Sequence, residues 1–199
     1  MLVRHRMTAN PETVSPQDYI AKASEKMKAG KFRRLPVVQD GQLVGILTDR
    51  DTLRFIGSEE RTRVDGAMTE SPLTISPDTP VEEAIRLMRK HQISGLPVVE
   101  QGKVVGIITT SDVLQAFLEV SGATVQGSVR VDLLRTGKEG DLTEASAVIT
   151  QAGGEVLSVG TYKDPWSEQP IFYLRLRGID PGAASSALEK KGYTVLSVH

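Results

Sequence analysis

The chain repeats itself. Met7-Thr8-Ala9-Asn10-Pro11-Glu12-Thr13-Val14-Ser15-Pro16 returns as Met68-Thr69-Glu70-Ser71-Pro72-Leu73-Thr74-Ile75-Ser76-Pro77, a shift of 61 residues. The same shift carries Leu35-Pro36-Val37-Val38 onto Leu96-Pro97-Val98-Val99, and Gly45-Ile46-Leu47-Thr48-Asp49-Arg50-Asp51 onto Gly106-Ile107-Ile108-Thr109-Thr110-Ser111-Asp112, without a gap. A repeat of this length constrains the fold more than any other feature, because each copy is one supersecondary unit that must bury its apolar face on a neighbour. Two copies predict a pair packed face to face. Each copy reads as strand, helix, strand, strand, helix. Ser15-Pro16 and Ser76-Pro77 predict helix starts, with serine as cap and proline at the first helical position. Ile20, Ala23 and Met27, and Val81, Ala84, Ile85 and Met88, follow at helical spacing. Asp40-Gly41 and Gln101-Gly102 predict hairpin turns between short strands at Leu35–Val38 and Leu43–Leu47, and at Leu96–Val99 and Val104–Ile108. Second helices are expected around Asp51–Ile56 and Ser111–Val120.

Composition narrows the function classes. Lys+Arg 24 against Asp+Glu 25 disfavours a nucleic-acid partner. Cysteine is absent, which excludes disulfides, thiol nucleophiles and thiolate zinc sites, and with 3 histidines no metal centre is expected. No apolar run approaches the ~18 residues of a membrane span, and the start carries no secretory signal, so a cytoplasmic protein without membrane attachment is expected. No Gly-x-x-x-x-Gly-Lys loop, His-Glu-x-x-His pair or acid–base pair is present, so no catalytic residue is assigned.

The Pro-Val-Val strands, the Asp-Gly and Gln-Gly hairpins and the Gly-apolar-x-Thr-x-x-Asp segments, in order and twice, resemble the CBS domain family. The resemblance divides the repeat into a first domain over 1–61 and a second over 62–122. It implies a compact pair with a cleft between the copies that binds an adenosine compound such as AMP, ADP, ATP or S-adenosylmethionine, with no further cofactor. The residues themselves suit such a ligand. Thr48 and Thr109 end strands, and Asp51 and Asp112 open helices whose N–H groups favour phosphate; a carboxylate there can accept from ribose hydroxyls. The same pairs also read as plain helix caps.

By the family's pattern, one site joins Thr109, Ser111 and Asp112 to Thr13, Val14, Arg33, Arg34, Leu35 and Pro36. The other joins Thr48, Arg50 and Asp51 to Thr74, Ile75, Ser94, Gly95, Leu96 and Pro97. Arg33-Arg34 face Ser94-Gly95 as repeat equivalents, so the site with Asp112 is expected to prefer phosphorylated ligands, and the other a less charged adenosine compound or none. The alternative for Arg33-Arg34 is a solvated basic turn.

The last third, 127–199, reads strand-helix-strand-strand-helix-strand, a ferredoxin-like arrangement. Strands are expected at Ser128–Arg135, Val156–Tyr162, Ile171–Leu176 and Tyr193–Val198. Helices are expected from Asp141 to about Ala152 and from Asp180 to Lys191. With Gly140-Asp141-Leu142 after the first strand and Gly153-Gly154 before the second, it resembles the ACT domain, whose ligand loop maps to Gly137, Gly140, Asp141 and Leu142. Dimerisation or amino-acid binding are both open for it. Trp166 reads as a partner anchor or as local packing. The fold class is therefore mixed α/β: a tandem CBS pair followed by an ACT-like domain. The combination resembles the bacterial acetoin-utilisation (AcuB) family. It implies a regulatory, non-enzymatic homodimer that senses adenine nucleotide and reports to an unidentified protein. A ligand-free scaffold and an enzyme of unrecognised type are the alternatives.

Overall fold

The computed structural model describes residues 1–134 and 141–199, which form two compact units, Met1–Leu114 and Gln115–His199. The first begins with a 3-10 turn at Val3–His5, a short strand β1 (Thr8–Ala9) and helix α1 (Ile20–Gly30). Hairpin β2 (Arg34–Gln39) and β3 (Gln42–Thr48) follows, then a one-turn helix α2 (Asp49–Thr52). The second copy repeats this with a 3-10 turn at Val64–Gly66, β4 (Thr69–Glu70), α3 (Val81–Lys90), β5 (Gly95–Glu100), β6 (Lys103–Thr109) and α4 (Thr110–Val120). The hairpins turn where expected. Asp40 and Gly41, and Gln101 and Gly102, all have positive φ, the backbone a two-residue hairpin loop requires.

The copies exchange their opening segments. β1 pairs with β6 of the second copy, and β4 pairs with β3 of the first, both antiparallel. The side chains follow the backbone. Val3 is fully buried in the second copy's core with Ile75, Val81, Ala84, Leu96 and Ile108, and Met7 packs against it. Val64 is buried in the first copy's core with Ala23, Met27, Leu35 and Leu47, and Met68 packs there. Gly45 and Gly106 make room for the exchange, since a Cβ on either would overlap the Met68 or Met7 sulfur.

The exchange also moves the helix starts. Ser15–Asp18 is a turn closed by Asp18 N–H to Ser15 O at 3.1 Å, and α1 begins only at Ile20. Ile20 N–H donates to Thr62 O at 3.0 Å and Val81 N–H to Met1 O at 3.1 Å. The opening donors of α1 and α3 are thus satisfied by exchanged backbone, and Ser15 and Ser76, accepting from Gln17 and Asp78 N–H, cap the short turns ahead of the helices rather than the helices themselves.

In the second unit, β7 (Val129–Leu134), α5 (Asp141–Gln151), β8 (Glu155–Lys163), β9 (Pro170–Arg177), α6 (Pro181–Lys190) and β10 (Val195–Val198) give one antiparallel sheet of order β10-β7-β9-β8. Alternate residues Val129, Val131 and Leu133 on β7 and Phe172, Leu174 and Leu176 on β9 bury against Ala145, Val148 and Ile149 of α5 and Ala184 and Leu188 of α6. Asp180 caps α6 by accepting from Gly182 and Ala183 N–H. Trp166 is 92% exposed, which removes the local-packing reading for it. The Tyr193 hydroxyl donates to Asp141 O at 3.0 Å. Burial, reinforced by the nearby Glu144 and Asp141 charges, pushes the Tyr193 phenol up to about 12.

Two outcomes test this packing. Val3→Ala should cost on the order of 2 kcal/mol by removing two buried methyl groups and leaving a cavity. Hydrogen exchange should then quicken across β5 and β6 more than across β2 and β3. For the second unit, the raised phenol favours the neutral form in the fold. That contribution is complete below the unfolded value of about 10 and is lost as pH rises through about 12. Urea denaturation between these limits should show stability falling, and Tyr193→Phe should flatten the slope.

Candidate functional site

The Thr-x-x-Asp segments are capping boxes. Thr48 N–H and Oγ1 donate to Asp51 Oδ2 at 2.9 and 2.6 Å, and Asp51 N–H donates back to Thr48 Oγ1 at 3.4 Å. Thr109 and Asp112 repeat the pattern at 2.7, 2.7 and 3.4 Å. Serine- or threonine-led boxes of this kind pin a strand-to-helix turn. One carboxylate oxygen of each aspartate is committed to the cap. The other, Oδ1, makes no hydrogen bond among the described residues. The cap and ligand readings are therefore compatible.

Each box stands at the edge of a cleft that both copies line. The first cleft, about 500 Å³, brings Thr109, Ser111 and Asp112 together with Arg33 and Arg34. The second, about 450 Å³, brings Thr48 and Arg50 together with Ser94, Gly95 and Pro97. Both volumes fall within the roughly 300–1,000 Å³ of small-molecule sites. The clefts are repeat equivalents. Thr8, Asn10 and Pro11 line the first where Thr69, Ser71 and Pro72 line the second, and Phe32 answers to Ile93.

Several expected residues lie elsewhere. Val14 and Leu35 are buried in the first core and Ile75 and Leu96 in the second: Leu35 and Leu96 stand at inward strand positions, and Val14 and Ile75 bridge to Val37 and Val98 beside them. Thr13, Pro36, Thr74 and Asp51 do not line either cleft. Sequence reasoning passed over Phe32, Asp49, Ile93 and the segments at 8–12 and 69–73. The 61-residue shift carried the signal, since Asn10-Pro11 and Ser71-Pro72 are equivalent and Asn10 and Ser71 share a left-handed backbone. Of the ACT-like ligand loop, Gly137 and Gly140 lie outside the described residues. Asp141 is buried at the start of α5 and Leu142 packs against the core of its unit.

The charge asymmetry differs from expectation. Arg33 and Arg34 line both clefts, so they do not mark the first alone. Lys31 and Glu12 belong to the first, Arg50 and Asp49 to the second. Arg34 is not a solvated turn residue: its Nη2 donates to Ser94 Oγ at 2.6 Å across the copies, and its Nη1 is buried with no partner among the described residues. Burial, with Arg33 beside it, holds the Arg34 guanidinium below its ordinary value, against the opposing pull of Asp49 and Asp112.

Two repeated α/β copies that exchange segments and enclose a pair of clefts define a tandem module. The chain belongs to the CBS domain family, whose model matches residues 3–58 and 64–119. It is 39% identical to the CBS domain-containing protein YhcV of Bacillus subtilis over 113 residues, 55% of this chain and 81% of that protein. Among solved structures it is similar to the Arabidopsis thaliana CBS-pair protein CBSX2 in complex with AMP, with 32% identity and a TM-score of 0.55 over 60% of this chain and 97% of that one. It is also similar to a Vibrio cholerae protein assigned to acetoin utilisation (AcuB), with 30% identity and a TM-score of 0.56 over 62% of this chain and 97% of that one.

The capping boxes predict that Thr109→Val and Thr48→Val each cost about 1 kcal/mol, the worth of an N-terminal cap. Urea denaturation of the two variants should give matching losses.

Proposed function

We propose that this protein is a regulatory adenosine-nucleotide sensor. The observation that carries the reading is the pairing of each Thr-x-x-Asp turn with basic residues in a cleft lined by both copies. The AMP complex of the similar CBS-pair protein supports the ligand class. In the first cleft, Asp112 Oδ1 accepts from ribose hydroxyls while Oδ2 keeps the turn closed, Thr109 and Ser111 supply hydroxyls, and Arg33, Arg34 and Lys31 face the phosphate. In the second, Thr48 and Arg50 meet Ser94, Gly95 and Pro97. Thr13, Val14, Leu35, Pro36, Asp51, Thr74, Ile75 and Leu96 act on ligand only through the backbone they shape.

The mechanism is linkage. A ligand held between two copies favours one mutual arrangement of them, and it shifts the equilibrium only by its difference in affinity for the two arrangements. We take residues 1–61 and 62–122 as the two CBS repeats and 127–199 as an ACT-like, ferredoxin-like domain, on its element order and its strand order β10-β7-β9-β8. The likeness to the Vibrio cholerae protein supports placing the chain near acetoin catabolism. A non-catalytic, cytoplasmic homodimer that reports to a regulated protein completes the reading; no helix among the described residues is long and apolar enough to cross a membrane. The closed capping boxes favour a second reading, a scaffold whose threonines and aspartates serve only as caps.

Calorimetric titration with AMP, ADP, ATP and S-adenosylmethionine separates the two. The sensor binds at least one of them, and Asp112→Ala weakens that binding by about 1.5–3 kcal/mol, the worth of a charged hydrogen bond. Asp112→Asn, which keeps an acceptor for the cap, should also weaken it. Failure of all four to bind establishes the scaffold.

A further inference from the structure

At an approximate two-fold axis, equivalent positions of the two copies meet. Residues 34 and 95 are equivalents under the 61-residue shift, and they do meet: a Cβ on Gly95 would overlap the Arg34 guanidinium. Only one large side chain fits at this point, so the pair holds one central arginine. That arginine lines both clefts. Among the described residues its guanidinium hydrogen-bonds only through Nη2, to Ser94, which also lines both clefts, and Nη1 is left buried and unpartnered. A buried donor without a partner is costly, and an incoming phosphate oxygen relieves that cost. Arg33 also lines both clefts but is exposed, so water and salt screen its charge.

We infer that Arg34 is a single cation shared by the two clefts, so that one anionic adenosine ligand weakens the binding of a second. The inference rests on the nucleotide-binding reading above and adds how the two sites constrain each other. The guanidinium has a fixed fork of donors. Once a phosphate in one cleft turns it, the other cleft loses its central cation and faces a like charge through a thin wall. Arg34 shares the first cleft with Asp112 and the second with Asp49, and both carboxylates act on its charge. Coupling is reciprocal, so either cleft filled first weakens the other by the same factor. The favoured doubly bound state holds one phosphorylated and one uncharged adenosine compound.

The test uses the full chain with AMP and with adenosine as probes. Thr8 and Thr69 are exposed and line one cleft each, so Thr8→Trp closes the first and Thr69→Trp the second. The two variants give each cleft's own affinity. For independent clefts, the product of the wild-type stepwise association constants equals the product of these two. For AMP the wild-type product should be about tenfold smaller, a typical coupling; for adenosine the products should agree. Arg34→Gln should weaken AMP in both clefts and abolish the discrepancy. Where that variant fails to fold, the contrast between AMP and adenosine in the wild-type chain decides. AMP products that agree within twofold, or AMP binding that one tryptophan variant abolishes and the other leaves untouched, overturn the shared cation and leave the sensor standing. If neither probe nor any of the four nucleotides binds wild type, the sensor falls and this inference with it.

Discussion

Everything in the first unit depends on an apolar debt between the copies. Neither hairpin-and-helix layer closes its own core. The missing side chain comes from the opening of the other copy: Val3 for the second core, Val64 for the first. The same segments carry the third strand of each small sheet and the backbone carbonyls that satisfy the first donors of α1 and α3. Burial, sheet pairing and helix capping therefore act at one place. Separating the copies would lose all three together, so the arrangement resists being half made. The clefts follow from it, since β1 and β4 and the loops after them form one wall of each cleft while crossing to the opposite copy.

The Thr-x-x-Asp turn shows how one short motif can serve stability and binding without conflict. A carboxylate has about four lone-pair positions on two oxygens. The cap takes Oδ2 and fixes the side chain's rotamer, so little entropy remains to be lost when a ligand meets Oδ1. A cap that faced solvent would be only a cap. What separates the two cases is whether the second oxygen borders a void, and there the copies differ: Asp112 lines its cleft and Asp51 does not.

Legibility in the sequence tracked the range of the interaction responsible. The hairpins were readable because Asp40-Gly41 and Gln101-Gly102 carry their own turn chemistry. The cap of α6 was readable for the same reason, with Asp180 ahead of Pro181. Ser15-Pro16 and Ser76-Pro77 were misread as helix starts. The serines close local turns, Ser15 Oγ accepting from Gln17 N–H and Ser76 Oγ from Asp78 N–H, while the first donors of α1 and α3 are met by Thr62 and Met1, far away in sequence. The exchange of segments leaves no local trace, because Val3 and Val64 look like ordinary members of their own copies. Within the clefts, Thr48, Arg50, Thr109, Ser111 and Asp112 on the Thr-x-x-Asp turns were found, while Asp49 was missed and Asp51 does not line its cleft. Leu35 and Leu96 were carried over with their strands, although alternation turns them into the cores.

Duplication and divergence then divide the labour. The repeat supplies two clefts of nearly equal size, and different residues at a few equivalent positions make them unequal. Steric exclusion forbids symmetry at one of those positions. Two arginines at 34 and 95 would contend for the same space, and two glycines would leave the clefts without a central cation. An arginine opposite a glycine is the arrangement that keeps one charge where both clefts can reach it. Lys31 lines only the first cleft and Arg50 only the second, so the cations around that shared charge differ between the two. On the proposed reading, a pair built this way would respond to the balance between phosphorylated and uncharged adenosine compounds rather than to the total of either, because filling the first place would change the worth of the second.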